Sequence, residues 1–149
     1  MTHENDPAAA LRAVRNTQKR AAGRVRAPAY YHPAIGFIFF MQFAAIELGS
    51  GGTILTILSL MLLAVLVTQY RRRTGTWQNG FTAGGRRTRR LMWGGIAAII
   101  LALLVGTYLK LHLHIDGAML AAGALSGIFA TWLGYAWERS FLAEAGTEQ

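Results

Sequence analysis

Four long apolar runs, parted by arginines, limit this chain of 149 residues more than any other feature. They lie at about 33–48, 53–70, 91–109 and 117–137. Between the second and third stands RRRTGTWQNGFTAGGRRTRR, residues 71–90, with seven arginines and no acid. A surface helix of a soluble protein keeps one polar face, whereas these runs are apolar all round. Close to 20 apolar residues in helix cross about 30 Å of hydrocarbon. The pattern predicts an all-α fold, an integral membrane bundle of four transmembrane helices in two hairpins. A basic arm (1–29) precedes the transmembrane domain (30–137), and a short tail (138–149) follows it.

Arginine and lysine set the orientation, because short basic loops stay on the cytoplasmic side. The arm carries six, the central loop seven and the tail one, against none and one in the two outer turns. Both termini are therefore expected inside a bacterial inner membrane. The net charge of +8 would suit nucleic acid. Here the basic residues sit beside apolar spans, so anionic headgroups are the expected partner and nucleic acid is not. The preference for Arg over Lys, with abundant Ala and Gly, suggests a high-GC bacterial genome. The chain has no Cys, which excludes disulfides and thiolate chemistry. No cleaved leader is expected, since the first apolar run begins some thirty residues in.

In the arm, Asp6-Pro7 reads as a helix start. Leu11, Val14, Gln18, Ala21, Ala22 and Val25 then form a weak helical stripe flanked by basic residues. That helix can lie on the inner membrane surface, seat against a partner helix, or stay solvated and serve topology alone. Tyr30 and Tyr31 before Pro33 look like an interfacial anchor at the first span. Gln42, polar within that span, should face another helix. Thr53, Thr56 and Ser59 share a face of the second span and can bond back to their own helix or across to a neighbour. Trp77 and Phe81 are expected to dip from the central loop into the headgroups.

Small residues direct the packing. Ala98, Ala102 and Gly106 form a row on the third span, and Gly123 and Gly127 make a GxxxG on the fourth, extended to Thr131. Their expected use is span 3 against span 4, with a homodimer as the other option. Arg71, Arg72, Arg73, Arg86, Arg87, Arg89 and Arg90 are the expected lipid- or partner-contacting residues.

No ionisable residue lies within a span away from its ends, which argues against an ion-coupled transporter. Glu47 closes the first span and reads as a solvated acid at the outer interface. In an extended loop His112, His114 and Asp116 would point one way. With Glu47 they would make a two-histidine, carboxylate set for zinc, or a pH sensor. Against this stands a plain polar loop, and no metal or cofactor is expected. The Ser and Thr hydroxyls lack a base at an activating spacing, so no enzyme is expected.

The segments AP-x-YYHPAIG (27–36) and YRRRTGTWQNG (70–80) resemble a group of small uncharacterised actinobacterial four-span membrane proteins. These have a basic N-terminal helix, a Tyr/His-Pro start to the first span, and an Arg-rich central loop with Gly-x-Trp. The resemblance implies a fold and a location and carries no site residues. The expected role is an accessory, sensor-like or scaffold subunit. The alternative is a small oligomeric exporter or channel lined by Gln42, Thr56 and Ser59.

Overall fold

The computed structural model describes residues 27–74 and 85–147. The arm helix, Trp77 and Phe81 lie outside the described residues. Four α-helices follow one another: α1 Tyr31–Glu47, α2 Thr53–Thr74, α3 Arg86–His112 and α4 Ala118–Thr147, with a short 3₁₀ turn at Gly49–Gly52. No strand occurs among the described residues. The segments Gly49–Arg73, Arg86–His112 and Ala118–Ala143 are long and apolar enough to cross a membrane, at 25, 27 and 26 residues. At 17 residues, α1 spans only about 26 Å.

The helices run beyond the apolar runs. α2 continues through Arg71–Arg73 to Thr74, and α3 begins at Arg86. Both arginine clusters are therefore helical, and the stretch between helices is shorter than 71–90. α4 likewise runs through the acidic tail to Thr147. Gly49 stops α1 in the left-handed conformation (φ 58°), which glycine adopts without penalty at a helix C-terminus.

Packing runs in the order α2–α1–α4–α3. The two hairpins meet through α1 and α4, while α2 and α3 form the flanks. This corrects the expected use of the GxxxG. Gly123 and Gly127 face α1, not α3: a Cβ on Gly123 would sit 2.6 Å from the Phe43 Cβ, and one on Gly127 would sit 2.7 Å from the Gly36 carbonyl. Opposite them, Gly36 abuts the Gly127 carbonyl and the Thr131 hydroxyl, and Gly134 abuts the His32 ring. The Thr131 hydroxyl donates to the Gly127 carbonyl at 2.9 Å and lies 3.4 Å from the His32 carbonyl. The row Gly123, Gly127, Thr131, Gly134 thus fits antiparallel against His32, Gly36, Phe40, Phe43. Small residues allow backbones this close.

The α3 row does meet α4, through Gly106, which faces Met119 and Ala122; Ala98 and Ala102 are only half-buried. Gly95 extends the row towards the other end, packed on Leu133. On α2 the hydroxyls turn back on their own helix. Thr56 donates to the Gly52 carbonyl and Ser59 to the Thr56 carbonyl. Gln42 is half-buried.

The glycine row yields a contrast. Gly127→Ala should lower stability by about 1–3 kcal/mol, because the added methyl meets backbone that cannot yield. Gly94→Ala, whose Cβ meets nothing within 4 Å, should be neutral or stabilising by up to about 1 kcal/mol. Equilibrium unfolding in mixed detergent micelles separates the two.

Candidate functional site

Two polar clusters terminate the α1–α4 pair, one at each end. At the arginine end His32 is 7% exposed in the first turn of α1. Its Nε2 lies 2.8 Å from Oε2 of Glu138. The Ala27 N–H donates to Oε1 of the same carboxylate at 3.2 Å. Two tyrosine rings enclose the imidazole edge-on, Tyr31 at 5.6 Å and Tyr135 at 4.7 Å. The Tyr135 hydroxyl donates to the Ala29 carbonyl at 3.0 Å. Tyr31 packs on Tyr70 of α2 at 4.8 Å, and the Arg73 guanidinium lies 5.8 Å from the Tyr30 ring. Residues 27–31, through which the arm joins the first helix, are thus held by α4 on one side and by α2 on the other. A carboxylate this enclosed is stable because each oxygen accepts a hydrogen bond.

Glu138 escaped the sequence reading, which assigned it to the tail. The missed signal is its register: it follows Gly134 by four and Thr131 by seven, on the face that meets α1. An acid directly after the last apolar residue of the run, in line with the small-residue row, marks a partner on the facing helix.

At the opposite end, Glu47 is engaged within the protein rather than solvated. Its Oε1 accepts from the Gly117 N–H at 3.0 Å and its Oε2 from the Met119 N–H at 3.1 Å. These belong to the start of α4, where the first turn leaves N–H groups without helical partners. Lys110 of α3 completes the knot. Its Nζ donates to the Ile46 and Glu47 carbonyls at 3.2 and 2.5 Å and lies 3.6 Å from Oε2 of Glu47. One acid and one amine therefore cap the end of α1, the start of α4 and the last turn of α3 together.

This geometry takes away the proposed outer-face metal set. α3 stays helical through His112, and His114 adopts a left-handed φ of 51°, so the strand-like alternation does not form. His112, His114 and Asp116 are exposed, and Glu47 is occupied. Among the described residues no three metal-binding side chains gather.

Of the seven loop arginines, all are exposed at the helix ends. Arg71–Arg73 close α2; Arg86, Arg87, Arg89 and Arg90 open α3. Ser126, on α4, is buried with no partner for its hydroxyl, so no base addresses it. No family model, no curated protein and no solved structure matches the chain. The actinobacterial resemblance rests on its two motifs alone.

Two variants test the clusters. Glu138→Ala should cost about 1–3 kcal/mol, the range for hydrogen bonds to a charged group, and should speed hydrogen exchange at the Ala27 amide; Arg139→Ala should do neither. Glu47→Ala should lower the melting temperature more than Asp116→Ala, since only Glu47 caps a helix. Equal melting shifts would show that the cap contributes nothing.

Proposed function

We propose that the chain is a multi-pass protein of the bacterial inner membrane, crossing it four times with both termini in the cytoplasm. Its role is that of a non-enzymatic accessory or scaffold subunit that meets anionic lipid, or a protein partner, through its basic cytoplasmic segments. One observation carries the reading: α2, α3 and α4 turn large apolar side chains outward along their length while the arginines gather at one end. Ile54 and Ile128 are each 70% exposed, and Leu60, Met61, Val65, Leu101 and Leu104 are more than half exposed. Water would penalise such a surface, and hydrocarbon does not. The seven arginines at the helix ends then stand at the headgroups of the inner leaflet, where each is worth about 1 kcal/mol.

α1 supports a fourth crossing despite its length. Its arginine-end tyrosines and the capped Glu47 allow both ends to sit at an interface, and a short span is accommodated by local thinning of the bilayer. The polar clusters fall where the two headgroup layers would lie. The arm enters the helices through the His32–Glu138 knot, which suits a segment that transmits contact with a partner to the helices.

Because the chain lacks cysteine, single substitutions report topology. In spheroplasts, Ser50→Cys should react with a membrane-impermeant maleimide and Ser140→Cys should react only after permeabilisation. Replacing the seven arginines by glutamine should mix the two orientations. The role itself is tested with a photocrosslinker at Arg15 and another at Arg72. The same protein captured from both sites, and lost with the arginines, supports an accessory subunit. Self-crosslinks alone would point to a homo-oligomer instead.

A further inference from the structure

At the arginine end, α3 and α4 leave an open groove of about 620 Å³, within the range of about 300–1,000 Å³ typical of ligand pockets. Arg86, Arg87 and Arg90 line one part of it, and Gly94, Phe129 and Trp132 line the other. No acid contributes to the lining. Among the described residues ion pairs join His32 to Glu138 and Lys110 to Glu47, and none joins Arg86, Arg87 or Arg90 to a described carboxylate.

The layout is that of an amphiphile. Arg86, Arg90 and Gly94 follow at intervals of four along one helix face, so the groove runs about 12 Å from its cationic mouth to Gly94. Two adjacent glycines divide the work. Gly95 lets α3 pack on Leu133, whereas a Cβ on Gly94 would meet nothing, and the groove stays open there. Trp132, 58% exposed, provides an apolar wall.

Electrostatics names the sign of the occupant. The N-terminal end of a helix carries partial positive charge, so arginines are favourable at the end of α2 and unfavourable at the start of α3. Four arginines placed there need an anion, and arginine's planar fork suits phosphate oxygens. A free phosphate would leave the apolar part unfilled.

We propose that this groove binds one anionic glycerophospholipid of the surrounding bilayer. Its phosphate sits among Arg86, Arg87 and Arg90, and one acyl chain lies along Gly94 against Phe129 and Trp132. The proposal rests on the membrane reading and adds a stoichiometric, helix-specific site to it.

Native mass spectrometry of the full chain, released from micelles containing equal phosphatidylglycerol and phosphatidylcholine of matched chains, tests it. One retained phosphatidylglycerol is expected. Gly94→Leu, which fills the groove and keeps every charge, should reduce it about tenfold, as should Arg86→Gln with Arg90→Gln. Arg71→Gln, Arg72→Gln and Arg73→Gln together should leave it within about twofold. Undiminished binding by Gly94→Leu would overturn the site, as would equal loss in the α2 variant or equal retention of phosphatidylcholine. Displacement by millimolar glycerol 3-phosphate would also overturn it, by showing that the chain is not read. Carbonate extraction separates the two proposals. A chain that resists extraction yet retains no lipid defeats the site alone, whereas a chain that is extracted defeats the membrane reading as well.

Discussion

The contact between the backbones of α1 and α4 is the constraint on which the other helices depend. In the proposed bilayer setting helices gain nothing from hiding apolar surface, so their association would rest on close packing and on hydrogen bonds. Here the close packing is supplied by Gly36, Gly123, Gly127 and Gly134, each pressed against backbone or ring of the opposite helix. α2 reaches the assembly chiefly through α1 and the turn before it, and α3 chiefly through α4. Loosening the central pair would therefore separate the two hairpins while leaving each hairpin's own contacts in place.

Two carboxylates hold that pair in register. Glu47 at the end of α1 takes the N–H groups that open α4, and Glu138, far along α4, takes the imidazole that opens α1. A slide of one helix along the other would break both at once, leaving charged oxygens short of donors in partly enclosed sites. The glycines set how near the helices come, and the acids set where along their axes they stop.

Much of this was legible in the residues, and the rest was hidden for a definite reason. Hydropathy located the apolar middle of all four helices, because the runs at 53–70, 91–109 and 117–137 are apolar on every side, but it missed the polar ends, where α3 begins five residues earlier and α4 ends ten residues later. That same uniformity conceals which side faces which neighbour. Gly123 and Gly127 announce a close contact without naming a partner, so chain proximity suggested α3 where the structure uses α1. Glu138 was lost because the apolar run stops before it, and Glu47 because a lone acid at a helix end looks solvated until the N–H groups that begin the next hairpin are placed beside it. His112, His114 and Asp116 misled in the opposite direction. Their alternate spacing means one face only in an extended chain, and α3 carries its helix through the first of them.

The distribution of charge follows from these roles. The chain has fifteen basic residues against seven acids. Among the described residues, Glu47 and Glu138 are consumed in joining helices, and Lys110 is consumed with the first of them. Arg86, Arg87, Arg89 and Arg90, at the start of α3, take no part in either of these two pairs. Their helical setting spreads them around the helix ends at 100° steps rather than collecting them on one loop. Neutralising charges must then come from several directions about the axis. In the proposed membrane setting, a sheet of headgroups would meet that requirement for those facing outward, and a lipid in the recess beside Gly94 would meet it for those turned towards α4.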